Sequence, residues 1–123
     1  MSKENIKILY IDDDMNNGIL VKRVLEADGY MVSLASNGTM GLSEAHRELP
    51  DLILLDIYMP DINGHEVARR LRKSEDTKDT PILVVSASPN SDDKRLSLEA
   101  GCNGYISKPI DVDQISNQVA AYL

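Results

Sequence analysis

The amino-acid sequence predicts an α/β fold in which a five-stranded parallel sheet is doubly wound, with five helices covering its two faces. Five short apolar stretches alternate along the chain with segments whose apolar residues recur at helical spacing. Two of the stretches, residues 52–55 and 82–85, are unbroken apolar runs, which is typical of strands buried on both faces. Strict alternation over such short connections indicates parallel strands joined by right-handed helical crossovers.

The first predicted strand, residues 6–11, is apolar and ends abruptly in the acidic residues 12–14. A helix follows over residues 15–28, because apolar residues recur there every three or four positions and Gly29 supplies a helix stop. Asp14 stands at the start of this helix, where a carboxylate favours the helix dipole, so we assign it no metal role.

The second predicted strand, residues 31–35, leads through the turn Asn37-Gly38 into a second helix. This helix ends before Pro50, because the residue before a proline disfavours helical geometry. Apolar residues at helical spacing predict one buried face, made of Leu42, Ala45 and Leu49.

The third predicted strand, residues 52–55, delivers Asp56 to the end of a core strand, ahead of a loop rich in Pro, Asp, Asn and Gly. A third helix follows, and its buried face is predicted to consist of Val67, Ala68 and Leu71. The basic residues within 69–73 are predicted to form a solvated face, with docking of an acidic partner as the alternative.

The fourth predicted strand, residues 82–85, ends at Ser86 and precedes a helix over residues 92–100. The fifth strand, residues 104–107, is followed directly by Lys108. The final helix is predicted from one apolar face, made of Val112, Ile115, Val119 and Tyr122.

Polar residues close four of the predicted strands, and parallel strands finish at the same edge of a sheet. These residues are Asp12 and Asp13, Asp56, Ser86 and Lys108. Clustered carboxylates repel one another unless a cation neutralises them, and oxygen ligands favour Mg²⁺ over Zn²⁺. A lysine and a hydroxyl beside them suit an incoming phosphoryl group, so we expect an aspartyl-phosphate site with Asp56 as the nucleophile.

Four segments of the sequence together resemble the receiver domain of two-component response regulators. They are ILYIDDD at 8–14, DLILLDIYMPDING at 51–64, PILVVSA at 81–87 and GYISKP at 104–109. The resemblance covers nearly the whole chain and implies a flavodoxin-like fold with strand order 2-1-3-4-5. It also implies a signalling domain that assists its own phosphotransfer and dephosphorylation, and not an enzyme.

The same resemblance implies how the acidic residues act. Asp56 would accept a phosphoryl group from the phosphohistidine of a histidine kinase or a histidine phosphotransfer protein. Mg²⁺, with Mn²⁺ as an alternative, would be bound by Asp13, Asp56 and the backbone carbonyl of Tyr58. Asp12 would complete this metal site mainly through a bound water.

The resemblance further implies a switch. Lys108 would pair with the phosphoryl group, Ser86 would move toward it, and the ring of Tyr105 would turn inward. The surface of helix four, strand five and helix five would then change its affinity for a downstream protein or form a dimer. Tyr58 and Ser88 occupy the positions that tune how fast such domains lose the acyl phosphate.

Two other functions remain alternatives. A phosphatase of the haloacid dehalogenase kind also uses a strand-end Asp and Mg²⁺, but it usually places a second acid where this chain has Tyr58. A receiver-like interaction module that works without phosphorylation is the second alternative, and the intact set of strand-end residues argues against it.

The composition restricts location and partners. Twenty acidic residues against 13 basic ones give a net charge of -7, which disfavours direct binding to nucleic acid. Neither a membrane-spanning run nor a signal-peptide core is present, so we expect a cytoplasmic protein without membrane contact. A length of 123 residues fits one receiver domain over residues 1–123 with no output domain. We expect a complete monomeric protein, with a fragment of a longer regulator or hybrid kinase as the alternative.

Three further residues are set aside as structural. His46 and His65 are predicted to be surface helix residues, and His65 lacks a zinc-motif partner because Arg69 stands at the second ligand position. Cys102 is predicted to be a small packing residue, because no cationic cluster adjoins it in the sequence.

Overall fold

The computed structural model describes residues 5–87 and 91–123, Ser91 by its backbone alone. Within these residues the strands are β1 (Lys7–Ile11), β2 (Met31–Ala35), β3 (Leu52–Asp56), β4 (Ile82–Ser86) and β5 (Gly104–Ser107). The helices are α1 (Met15–Ala27), α2 (Gly38–Glu48), α3 (Gly64–Lys73), α4 (Ser91–Glu99) and α5 (Ile115–Ala120). No helix in this part of the chain has the length and apolar composition needed to cross a bilayer.

The strands form one parallel sheet in the order β2-β1-β3-β4-β5. This order confirms the predicted doubly wound, flavodoxin-like sheet. The strand order reverses direction between β1 and β3, and in such sheets ligands bind at the carboxyl ends of the strands beside that point. The fold therefore directs attention to the residues that follow β1 and β3.

Two hydrophobic cores lie on opposite faces of the sheet, because successive residues of a strand point to opposite sides. One core contains Ile11 together with Val67 of α3, and the other contains Leu54 together with Val21 of α1 and Ile115 of α5. Every residue of β3 and β4 is buried, which confirms the two apolar runs as central strands. Each large apolar side chain buried this way contributes about 1.5–3 kcal/mol. Asp56 thus ends one of the two strands that are buried along their whole length.

Side-chain caps begin the first three helices where the sequence changes from loop to helix. The carboxylate of Asp14 accepts the N–H of Asn16 at 3.0 Å, and Asn37 and Asn63 cap α2 and α3 in the same way. Asp14 therefore caps α1, in agreement with the prediction that it acts at the start of this helix.

The prediction that Leu49 shares the buried face of α2 is wrong. Leu49 is the C-cap of α2, with a left-handed φ of 50°, and 53 % of its surface is exposed. Pro50 disfavours helical geometry at Leu49, and the periodic pattern does not register where a helix ends.

The predicted apolar face of the last helix is too long. Residues 112–114 form a turn and α5 begins at Ile115, so Val112 and Tyr122 lie outside the helix and are exposed. The N–H of Ile115 donates to the carbonyl oxygen of Asp111 at 3.0 Å, closing that turn. The buried face therefore consists of Ile115 and Val119.

The basic residues of α3 do not form one solvated face as predicted. Arg69 and Arg70 lie on the surface and bond to Glu66, but Arg72 turns inward. Its guanidinium donates to backbone and side-chain oxygens of the segments before β4 and β5. The acceptors are the carbonyl oxygens of Thr77, Lys78, Thr80 and Gly101, and Oδ1 of Asn103, at 2.7–3.2 Å.

We expect Arg72→Lys to lower the free energy of unfolding by about 2 kcal/mol, because an ammonium keeps the charge but cannot reach this spread of acceptors. Urea denaturation at pH 7.5 measures the change. Arg70→Lys is the matched control, and it should stay within about 0.5 kcal/mol of the unmodified chain because exposed ion pairs contribute little. Equal losses in the two variants would show that Arg72 is not a structural clamp.

Candidate functional site

The carboxyl edge of the sheet brings together the residues that close four strands. Asp12 follows β1, Asp56 ends β3 and Ser86 ends β4. Ser86 is paired in register with Ser107 of β5, and the N–H of Lys108 donates to the carbonyl oxygen of Ser86 at 2.9 Å. The side chain of Ser86 is fully buried. The strand-end residues selected from the sequence thus occupy one small region.

Three carboxylates form a group that could hold a metal ion. Asp12, Asp13 and Asp56 each offer one oxygen, and these oxygens lie within 4.8 Å of one another. Asp12 and Asp56 are only 2 % and 5 % exposed, whereas Asp13 is open to solvent. An all-oxygen set fits Mg²⁺ or Mn²⁺ better than Zn²⁺, and the open side leaves room for the water ligands that Mg²⁺ retains.

Lys108 lies between two buried carboxylates. Its Nζ is 3.0 Å from Oδ2 of Asp12 and 3.7 Å from Oδ1 of Asp56. Burial lowers the pKa of the Lys108 ammonium, but the hydrogen bond to Asp12 and the charges of both carboxylates outweigh burial and raise it. The ammonium is therefore charged at neutral pH and neutralises part of the cluster.

The pKa of Asp56 is raised from 3.8 to about 6. Burial is the largest cause and the charge of Asp12 adds to it, while Lys108 and the N–H of Tyr58 act in the opposite direction. The ionised form of Asp56 is therefore held at a cost, because burial and the charge of Asp12 both disfavour it.

Tyr10 belongs to this site, and the sequence reasoning missed it. Its hydroxyl donates to Oδ2 of Asp12 at 2.6 Å, and the N–H of Asp14 donates to Oδ1 of the same carboxylate at 2.9 Å. Burial and the bond to Asp12 raise the pKa of the phenol well above its ordinary value, so it remains a donor. A tyrosine inside an apolar strand gives no local sign of a polar partner. The spacing of Tyr10 and Asp12 could have revealed the contact, because residues i and i+2 of an extended chain share a face.

The loop between β3 and α3 is tied to a helix on each side. The carboxylate of Asp61 accepts the N–H groups of Gly38 and Thr39 at the start of α2, at 3.0 and 2.9 Å, and these bonds lower its pKa. On the other side, the hydroxyl of Tyr58 donates to Oδ2 of Asp93 on α4 at 2.9 Å. The loop that follows Asp56 is thus held between α2 and α4.

Gly64 allows the loop to return closely to β3. Its N–H donates to the carbonyl oxygen of Ile57 at 2.7 Å. A Cβ at this position would overlap the carbonyl oxygen of Asp56. Only glycine fits, so the first turn of α3 packs directly on the backbone of Asp56.

The prediction that His65 is a surface residue is wrong. His65 is only 7 % exposed, and its Nε2 lies 3.0 Å from Oγ of Ser97 on α4. The Ser97 hydroxyl donates its hydrogen to the carbonyl oxygen of Asp93 at 2.8 Å, so it must accept from Nε2–H of His65. Burial lowers the pKa of His65 and favours the neutral ring. The sequence could not show that α4 packs over this part of α3. His46 is exposed, as predicted.

The region around Tyr105 includes a small apolar pocket between α4 and β5. The pocket has a volume of about 130 Å³ and is lined by Lys94, Leu98, Cys102 and Tyr105, among others. The ammonium of Lys94 lies 5.6 Å from the ring centre of Tyr105. Burial raises the pKa of the Cys102 thiol to about 11, which agrees with a packing role.

Ser88, predicted to tune phosphoryl loss, lies outside the described residues.

A family model described as the response regulator receiver domain matches residues 8–120. Among curated proteins, the chain is 39 % identical over 117 residues to the DNA-binding dual master transcriptional regulator RpaA of Synechocystis, covering 95 % of this chain and 48 % of RpaA. It is 32 % identical to Protein PilH of Pseudomonas aeruginosa, covering 95 % of this chain and 97 % of PilH. The chain spans about half the length of the first curated relatives that it matches.

Solved structures show the same similarity. Chemotaxis protein CheY4 of Vibrio cholerae superposes with a TM-score of 0.92 at 27 % identity, covering 96 % of this chain and 98 % of CheY4. The receiver domain of sensor histidine kinase PA1611 from Pseudomonas aeruginosa gives a TM-score of 0.87 at 27 % identity, covering 95 % of this chain and 96 % of that domain. That structure has a magnesium ion coordinated in its active-site cleft.

We expect Asp56→Asn to raise the free energy of unfolding of the metal-free protein by roughly 1–3 kcal/mol at pH 7.5. The folded-state pKa of Asp56 is about 6 against 3.8 for the free side chain, so the folded chain binds more protons between these values. Its stability therefore falls as the pH rises through this window, and Asn escapes that loss. Urea denaturation should show the gain shrinking toward zero near pH 4. A variant that is less stable than the unmodified chain at pH 7.5 would contradict the raised pKa.

Proposed function

The chain belongs to the response regulator receiver domain family, and on that premise we propose that Asp56 accepts a phosphoryl group and thereby switches protein–protein contacts. Receiver domains are signalling domains that interact with histidine kinases or phosphotransfer proteins and with downstream targets. The observation that carries the proposal is the position of Asp56, which ends a core strand within reach of both Lys108 and two further carboxylates.

The proposed reaction is a phosphoryl transfer from a phosphohistidine. A carboxylate oxygen of Asp56 attacks phosphorus, the O–P bond forms as the P–N bond breaks, and the imidazole leaves with a proton from solvent. Lys108 neutralises charge on the phosphoryl oxygens, and the buried hydroxyl of Ser86 supplies a hydrogen bond to one of them. Hydrolysis of the acyl phosphate returns Asp56 to its carboxylate. The domain thus assists its own phosphorylation and dephosphorylation and does not act on a separate substrate.

A divalent cation completes the proposed site. Asp12, Asp13 and Asp56, together with the backbone carbonyl of Tyr58, would hold Mg²⁺ or Mn²⁺. The ion supplies charge neutralisation for the phosphoryl oxygens. The oxygen-only donor set and the magnesium ion in the PA1611 receiver support this assignment. Tyr58 is also bonded to α4 through its side chain, so the proposed metal site is mechanically connected to that helix.

The proposed output is a change of partner affinity on the face formed by α4, β5 and α5, with Ser86 and Tyr105 as the switch. A histidine kinase or phosphotransfer protein is the proposed donor, and a second protein in the cytoplasm, or a second copy of this chain, is the proposed target. The family match over residues 8–120 gives no support to a haloacid dehalogenase-like phosphatase. It likewise gives none to a module that works without phosphorylation.

We expect acetyl phosphate with Mg²⁺ to add one phosphoryl group, seen as a single adduct in the intact mass that is lost in mild base. Asp56→Asn should show no adduct, because an amide is not a nucleophile for this reaction. Asp51→Asn is the matched control, since Asp51 is exposed just before the same strand at the opposite edge of the sheet. It should keep the adduct. Phosphorylation that persists in Asp56→Asn, or none with any donor, would refute the assignment.

We expect Asp13→Asn to weaken Mg²⁺ binding by at least about tenfold, which corresponds to ~1.4 kcal/mol. Isothermal titration calorimetry of the unphosphorylated protein measures the dissociation constant. Asp14→Asn is the control, because Asp14 caps α1 and asparagine caps equally well. Its affinity should stay within about twofold of the unmodified chain. Equal affinities of Asp13→Asn and the unmodified chain would place the cation elsewhere.

A further inference from the structure

Lys108 partly neutralises two carboxylates, and a phosphoryl group on Asp56 would change which group it pairs with. In the resting protein Nζ is closer to Asp12, at 3.0 Å, than to Asp56, at 3.7 Å. A phosphoryl group on Asp56 would draw the ammonium toward itself and away from Asp12. Asp12 is almost completely buried, and a buried carboxylate that loses its partner is strongly destabilising. The proposed cation would offset part of this cost, and a hydrogen-bond donor from the protein would lower it further.

Tyr10 is placed to do this. Its hydroxyl bonds to Oδ2 of Asp12, which is the same oxygen that Lys108 contacts. Tyr10 stands in the middle of β1, paired with Leu34 of β2 on one side and Leu54 of β3 on the other. A fully buried ring on a strand with two neighbours cannot follow Lys108 or leave the carboxylate. Its hydrogen bond to Asp12 would therefore persist if the lysine moved toward Asp56.

We propose that Tyr10 is a positioning residue for phosphotransfer, which holds and partly neutralises Asp12 so that Lys108 can be released toward the phosphoryl group on Asp56. This role rests on the proposed function, because it concerns how fast that transfer occurs. Tyr10 does not touch the phosphoryl group. Without its hydroxyl, the carboxylate of Asp12 would keep only the N–H of Asp14 and the proposed cation once Lys108 moved, so withdrawing the ammonium would cost more.

The test compares Tyr10→Phe with Tyr30→Phe. Each variant removes only a hydroxyl from a tyrosine of the same hydrophobic core. Tyr30 precedes β2 at the opposite edge of the sheet and is the matched control. Phosphorylation by acetyl phosphate is followed by intact mass at saturating Mg²⁺, over a range of donor concentrations, and urea denaturation records the stability of both variants.

We expect Tyr10→Phe to slow the rate at saturating donor by about tenfold, the effect of one hydrogen bond to a charged group, and to leave the half-saturating donor concentration within about twofold. Tyr30→Phe should keep the rate of the unmodified chain. A purely structural role of Tyr10 would give equal losses in the two variants or no loss in saturating rate. Tyr10→Met, which also lacks the hydroxyl, is a second variant with the same expectation if Tyr10→Phe does not fold.

The outcomes separate the two proposals. An unmodified chain that is phosphorylated at Asp56, with an unchanged saturating rate in Tyr10→Phe, overturns the role of Tyr10 and leaves the proposed function intact. A variant that changes only the half-saturating donor concentration, with an unchanged saturating rate, also overturns the role of Tyr10. The release of Lys108 follows donor binding, so its loss must slow the saturating rate. An unmodified chain that accepts no phosphoryl group overturns both.

Discussion

The ammonium of Lys108 between two buried carboxylates is the interaction on which the rest of the site depends. Asp12 and Asp56 are held close together in a region with little access to water, where like charges repel strongly. Lys108 offsets part of that repulsion, but one ammonium cannot serve three carboxylates. Burial, together with the remaining negative charge, raises the pKa of Asp56. A site with this imbalance could hold a divalent cation, which the proposed phosphoryl transfer requires.

The surrounding structure keeps this charge cluster in a fixed geometry. Tyr10 holds Asp12 from inside the sheet, and Gly64 lets the first turn of α3 pack on the backbone of Asp56. The loop after β3 is joined to α2 through Asp61 and to α4 through Tyr58. Asp56, the proposed phosphoacceptor, and Tyr58, which contacts α4, are thus part of one short segment. A change at Asp56 has a direct physical connection to the helix proposed to contact a partner.

The errors of the sequence reasoning share one cause. Arg72, His65 and Tyr10 each act through a contact with a segment far away in the chain: the turns before β4 and β5, helix α4, and the carboxyl edge of the sheet. A periodic pattern reports only which side of its own element a residue occupies. The pattern assigned the arginine and the histidine to solvent and gave the tyrosine no role of its own. Likewise, periodicity extended α2 to Leu49 and the last helix to Val112, because helix ends depend on caps and turns.

The sequence by itself determined the alternation of strands and helices, the two fully apolar strands and the polar residues that close four of the five strands. These follow from local properties, since hydrophobic runs, helix stops and residue spacing act within one element. Because all strands of a parallel sheet end at the same edge, even the convergence of Asp12, Asp56, Ser86 and Lys108 followed from topology. Only the tertiary structure decided that Lys108 pairs more closely with Asp12 than with Asp56 and that Tyr10 shares its acceptor. Such choices depend on differences of less than 1 Å between side chains from different strands, which only the packed molecule determines.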